Sequence, residues 1–160
     1  MELTQQQQDF MDRFLIREQI ENYIDALNHR DWNRIGETLC EEFVWSAGAP
    51  FEQRFESRKA FVDMLNTVQA YQFGFVFQMG HGITVYEVDG NRARACHTLQ
   101  IYSDSFECIG LYYDELRKEP DGVWRFLRRD FKPTYHDTRH VPGTMYRQLP
   151  DPDYKNLPSP

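Results

Sequence analysis

His81 stands between Gly80 and Gly82 at the head of an alternating run that continues through Ile83 and Val85. Glycine on both sides lets a ring hang into a hollow, or lets a ligand approach the backbone closely. A neutral imidazole titrates close to neutrality, so this residue type has the chemistry of a general base or acid; the competing reading is a histidine satisfied by a backbone carbonyl. His97 lies in a run whose odd positions, Ala93, Ala95, Leu99 and Ile101, are aliphatic, the setting of a hydrogen-bonded core histidine more than of a catalyst. Tyr23 belongs to an apolar helical stripe, with a hydroxyl able to reach a cavity as donor. Asn28, at the edge of that stripe, can cap the last carbonyls of the helix or orient a facing side chain. Asp25 points away from the stripe, toward solvent. Asp114, Tyr112 and Arg128 can place polar groups inside a curved sheet, although surface ladder pairing accounts for them equally.

Other chemistries find no purchase. His136 and His140 are four apart, as two ligands on one helical turn would be, but no metalloprotease glutamate accompanies them and Pro142 follows closely, so no metal site is expected. There is no glycine-rich phosphate loop, no Gly-x-Ser-x-Gly and no cysteine with a paired base; no cofactor is expected. Cys40, Cys96 and Cys108 are widely spaced and odd in number. They read as reduced, mostly buried small apolar residues.

The elements that must position these groups follow from periodicity. Ile16, Ile20, Tyr23, Ile24 and Leu27 form one stripe on a helical wheel, predicting a long first helix to about residue 29. Asp31 is the N-cap of a short second helix bearing Trp32, Ile35 and Leu39, and Ser57 that of a third ending near residue 71, with Phe61, Leu65 and Val68 on its inner face. Phe43-Val44-Trp45 is a short extended run. From Phe73 the period changes to two, and residues 75–88, 91–103, 106–118 and 122–135 read as an antiparallel meander. Asp89-Gly90 and Asp121-Gly122 mark tight turns, the first expected as a type I′ turn with positive φ at both central residues. By strict alternation His81, Ile83 and Val85 share a face, as do Trp124, Phe126 and Arg128. Helices first and hairpins after imply an α+β domain over residues 1–135, its sheet curled round the helices to make a pocket. Residues 136–160, rich in proline, read as an irregular tail able to cover the pocket mouth.

The 160 residues carry a net charge of −7, with Lys and Arg scattered. No basic stripe could hold a phosphate backbone, so nucleic acid is excluded as a partner. No apolar run approaches the roughly 18 residues of a membrane span, and the N-terminus is polar, so no membrane partner and a cytoplasmic location are expected. Twelve Phe, nine Tyr and three Trp suffice for a core and for a cavity lining as well, with Trp45 and Phe75 the expected shape-giving aromatics.

The order of elements, together with Ile20–Trp32 (I-E-N-Y-I-D-A-L-N-H-R-D-W), Phe43-Val44-Trp45, His81, Val88-Asp89-Gly90-Asn91-Arg92-Ala93 and Asp121-Gly122-Val123-Trp124-Arg125-Phe126, resembles the SnoaL-like, scytalone dehydratase-like branch of the nuclear transport factor 2-like superfamily. The resemblance spans about residues 10–132. It implies a cone-shaped fold with the N-terminal helices in the concave face of a strongly curved, mostly antiparallel sheet, and assembly as a homo-oligomer, dimer or trimer. In the lyases of this branch a histidine at the head of a central strand removes a proton, oriented by an aspartate just before the Asp-Trp that follows the first helix. The resemblance puts the histidine at His81 and Asn28 where the aspartate would be, and an asparagine can fix a tautomer but cannot stabilise an imidazolium. Implied is a cofactor-independent lyase, dehydratase-like, acting on a small, largely apolar aromatic, polyketide- or terpenoid-like substrate. His81 would be the base, Asn28 would set its tautomer, and Tyr23 or Tyr112 would donate to a developing oxyanion. Trp45, Phe75, His97, Ile101, Tyr112, Asp114 and Arg128 would bind the substrate. A cyclase or isomerase, or a module that only binds, are the alternatives.

Overall fold

The computed structural model describes residues 4–68 and 74–138. Helix α1, Gln5–Asn28, starts at a reciprocal cap in which the Thr4 hydroxyl accepts from the Gln7 backbone N–H and the Gln7 side chain accepts from that of Thr4. Its buried residues include the expected stripe Ile16, Ile20, Tyr23, Ile24 and Leu27. Arg30, at φ 57°, turns the chain away. Asp31 then caps α2, Trp32–Glu37, accepting from the Arg34 N–H at 3.0 Å. Ser57 likewise caps α3, Arg58–Thr67, which ends short of the expected residue 71 because Val68 is extended; residues 69–73 lie outside the described residues.

Six strands form one sheet: β1 (Leu39–Ala47), β2 (Gln53–Phe55), β3 (Val76–Asp89), β4 (Arg92–Ser103), β5 (Glu107–Lys118) and β6 (Trp124–Asp137), in the spatial order β2-β1-β6-β5-β4-β3. The expected meander is present as β3 to β6, each end within two residues of its predicted place. The extended run at Phe43 is longer than predicted, and β1 lies parallel to β6, with β2 antiparallel on its outer edge. The helices pack against this mostly antiparallel open sheet. The β3–β4 turn differs from the expected one: its two central residues are Gly90 and Asn91, and of these only the glycine has positive φ (56°). Glycine at the first central position is the pattern of a type II′ turn, which suits the strand twist equally well.

Two irregularities decide which side chains face the helices. In β3 the register shifts between His81 and Thr84, where Gly82 has φ 61°. In β6 Leu127 is an extra residue, since Phe126 pairs with Leu116 but Arg128 with Glu115. Each such bulge reverses the alternation beyond it. On β5, Gly110 is required by close approach: a Cβ there would lie 2.6 Å from the Lys132 carbonyl and from the Phe131 ring.

Two buried clusters result. One joins α1, α2 and α3 to Phe43, Ala95, Leu116, Trp124 and Phe126; the other gathers Val76, Leu99, Ile101, Cys108, Tyr112 and Phe131 toward the far end of the sheet. Cys40 and Cys108 are buried and Cys96 is half-buried, all three free, as the sequence suggested. Among the described residues no helix is long and apolar enough to cross a membrane.

Candidate small-molecule pocket and its buried charge network

Where the two clusters meet, a cavity of about 200 Å³ remains. Tyr23 and Leu27 of α1, Phe61 and Leu65 of α3, Trp45 of β1 and Val76, Gln78, Ile101, Tyr112 and Phe131 of the sheet line it, with Phe51, Gln53 and Phe106 toward the rim. Aromatic rings make much of the wall and brace one another: Trp45 lies 5.7 Å from Phe61, and Phe51 5.7 Å from Phe106, between centroids. A few polar groups interrupt it. Trp45 Nε1 donates to the Tyr112 hydroxyl at 2.9 Å, and burial pushes the Tyr112 phenol above its ordinary pKa, so it is protonated at neutral pH.

Asn28 is anchored to β3 twice over. Its Nδ2 donates to the Gln78 carbonyl and its Oδ1 accepts from the Gln78 N–H, both at 2.8 Å. One side chain thus completes a strand-like pair of bonds from the end of a helix, and this pins Gln78 beneath it with its side chain facing inward. Gln78 is buried, and among the described residues its Oε1 has no hydrogen-bond partner.

This pairing corrects the central expectation. Gln78 pairs with Ile101 on the concave face, and His81, an odd number of residues further on, pairs with Thr98 on the convex one. His81 is exposed, so its ring does not enter the cavity, and Asn28 meets Gln78 and not His81. The bulge after His81 is the reason alternation failed, since Val85 beyond it points inward while His81 points outward. The bulge at Leu127 has the same effect on β6. Arg128 lies outside, paired with Asp130 at 2.8 Å, and the inward arginine is Arg129, which was not anticipated. Phe75 precedes β3 and is not part of the cavity wall. Tyr23, Trp45, Ile101 and Tyr112 line the cavity. Asp25 is half-buried rather than free in solvent, ion-paired with Arg34 and 3.2 Å from His29. His136 packs against Phe51 and Phe106, 5.5 Å from each centroid, while His140 and the rest of the proline-rich tail lie outside the described residues.

Beneath the cavity floor the structure brings together His97, Asp114 and Arg129, whose side chains are entirely buried. Surface ladder pairing therefore does not describe Asp114. Arg129 donates to both Asp114 oxygens, at 2.8 and 3.2 Å, and its guanidinium lies 4.1–4.2 Å from the ring centroids of Tyr23, Tyr112 and Phe126. Burial opposes its charge, but the Asp114 carboxylate and the two tyrosines more than offset this, and its pKa stays above the ordinary value. Burial is also the largest influence on His97 and pushes its pKa down, with Asp114 pulling the other way. His97 is therefore neutral at pH 7. Its Nδ1 is 3.3 Å from Asp114 and its Nε2 3.4 Å from Arg129, which places the ring proton on Nδ1. The ring stacks on Tyr112 at 5.3 Å, so Tyr112 joins this network to the cavity. Among the described residues no group of three or more His, Cys, Asp and Glu is placed to hold a metal ion.

A helix-filled, curved and mostly antiparallel sheet enclosing an apolar hollow defines the class: an α+β fold of the nuclear transport factor 2-like, cystatin-like kind, which solved structures share. A protein of that description from Novosphingobium aromaticivorans superposes with a TM-score of 0.65 at 20% identity over 79% of this chain and 84% of its own. A putative scytalone dehydratase from the same organism gives 0.70 at 17% identity, covering 84% of this chain and 91% of its own. Hexachlorocyclohexane dehydrochlorinase type 3 from Novosphingobium barchaimii gives 0.72 at 14%, covering 87% and 96%. No curated protein matches the sequence. The family model for the SnoaL-like domain matches residues 8–130, and the chain belongs to that family.

Proposed function

We propose that this protein takes up a small, largely apolar molecule in the cavity between α1, α3 and the concave sheet face, and holds it by shape and neutral hydrogen bonds rather than by a histidine base. The observation that carries the reading is the Asn28–Gln78 pairing. Where the first helix meets β3, at the edge of the sheet, two uncharged amides stand, and neither exchanges a proton at neutral pH. The aromatic lining supports an apolar ligand, since concave, mostly apolar sites with a few placed polar groups are the usual form of small-molecule pockets.

Lyase chemistry, of the sort named for the dehydratase and dehydrochlorinase neighbours, or an isomerisation, is a second reading that Tyr112 favours. Its oxygen accepts from Trp45, so its own hydrogen can be given to a leaving group or an enolate oxygen. Titration calorimetry with propylbenzene tests the first reading: the wild type binds it, and Leu65→Trp, which fills the cavity, does not. Equal binding by both, or none by the wild type, refutes it. For the second, Tyr112→Phe abolishes product formation without changing ligand affinity, whereas His81→Ala changes neither; loss of either activity in His81→Ala would restore a role for that histidine.

A further inference from the structure

We infer that Gln78 sets the ligand's chemistry: the pocket selects a neutral ring compound carrying a hydroxyl or N–H donor, which binds Gln78 Oε1. This rests on the cavity being a small-molecule site. Gln78 is 4% exposed, it forms part of the cavity wall, and its Oε1 is buried without a partner among the described residues. A buried acceptor left unpaired carries a desolvation penalty that a ligand donor removes. The position is not adaptable, because Asn28 clamps the Gln78 backbone on both sides.

Charge and size narrow the class further. The polar groups of the wall are uncharged: two glutamines, two tyrosines and the Trp45 indole. Arg129, a buried cation beneath it, is already balanced by Asp114. An ionised ligand would give up its hydration without gaining a counter-charge, so the neutral form is taken. A cavity of roughly 150 Å³ holds benzene, and one of about 200 Å³ holds a single ring with a short substituent. The rings of the wall stand tilted or edge-on to one another, which leaves apolar surface for a ring to pack against.

Three probes of nearly equal shape separate the possibilities: 4-propylphenol, 4-propylanisole and propylbenzene, titrated calorimetrically into the full chain. 4-Propylphenol binds at least tenfold more tightly than either of the others, because only it donates. In Gln78→Met, which keeps the side-chain length and the backbone bonds to Asn28, the preference is lost and propylbenzene binds at least as tightly as 4-propylphenol. The melting curve of the variant confirms that it is folded, and the wild-type series stands without it. Equal wild-type affinity for all three overturns the role of Gln78 while leaving the pocket intact, and tighter binding of 4-propylanisole overturns the donor requirement. A phenol preference that survives in Gln78→Met assigns the acceptor to Tyr112 instead. No binding of any probe overturns the cavity reading itself.

Discussion

Replacing Asn28 by aspartate tests the two-bond clamp directly, because a carboxylate matches one half of it and opposes the other. Oδ1 of the new side chain still accepts from the Gln78 N–H. The second oxygen takes the place of Nδ2, 2.8 Å from the Gln78 carbonyl oxygen, where two acceptors meet without a proton. Losing one partly buried hydrogen bond and leaving its acceptor unpaired costs about 1–3 kcal/mol, with the repulsion added. We therefore expect Asn28→Asp to lower stability by about 2–3 kcal/mol at pH 7, or roughly 4–12 °C in Tm for a chain of this length. Protonation restores the donor, so the folded variant has an aspartate pKa above the ordinary value near 3.9. The sign follows: the deficit is full above the raised folded pKa and shrinks as pH falls through it. Urea denaturation of wild type and variant at pH 7 and pH 4.5 measures the difference at each pH, with effects common to both proteins cancelling. A variant as stable as wild type at pH 7, or a deficit no smaller at pH 4.5, would refute the clamp.

Two further outcomes concern the network under the cavity. Asp114→Ala leaves Arg129 charged, buried and without its carboxylate, and should cost about 3–5 kcal/mol, read by chemical denaturation; a loss under 1 kcal/mol would mean the guanidinium reaches water. Because burial lowers the His97 pKa, the unfolded chain takes up a proton near pH 6.5 that the folded chain refuses, so stability falls as pH drops below about 6.5, by at most about 1.4 kcal/mol per unit. The slope of Tm between pH 7 and pH 5.5 should be shallower in His97→Gln, and an unchanged slope would show that His97 is charged in the folded state.

Local patterns carried the helices and the meander. The stripe from Ile16 to Leu27, the caps at Asp31 and Ser57 and the change of period after Phe73 are all short-range signals, and the structure follows them. The parallel pairing of β1 with β6 joins residues some 84 apart and has no local signature. Part of the pocket lining was legible as well, since Tyr23, Trp45, Ile101 and Tyr112 sit on faces that the local patterns define. Inside and outside were lost at the bulges. A single extra residue at Leu127 exchanged Arg128 for Arg129, and the register shift after His81 made an exposed histidine look like a neighbour of Val85. Gly82 was the available signal for the second, being a lone glycine within a strand pattern. Gln78 drew no notice because an isolated glutamine carries no motif. Only its inward parity and its bonds to Asn28 single it out.

The extra residue in β6 has a consequence for how the hairpin finds its pairing. Arg128 and Arg129 are adjacent, so a β6 that closed without looping out Leu127 would still offer Asp114 a guanidinium, and charge compensation alone does not tell the two alignments apart. What separates them is shape: in the misaligned pairing Phe131 would leave its seat over Gly110 and be turned to solvent. The native alignment is thus proofread by a ring fitting a side-chain-free gap, and enlarging Gly110 would remove the arbiter while leaving the electrostatics satisfied.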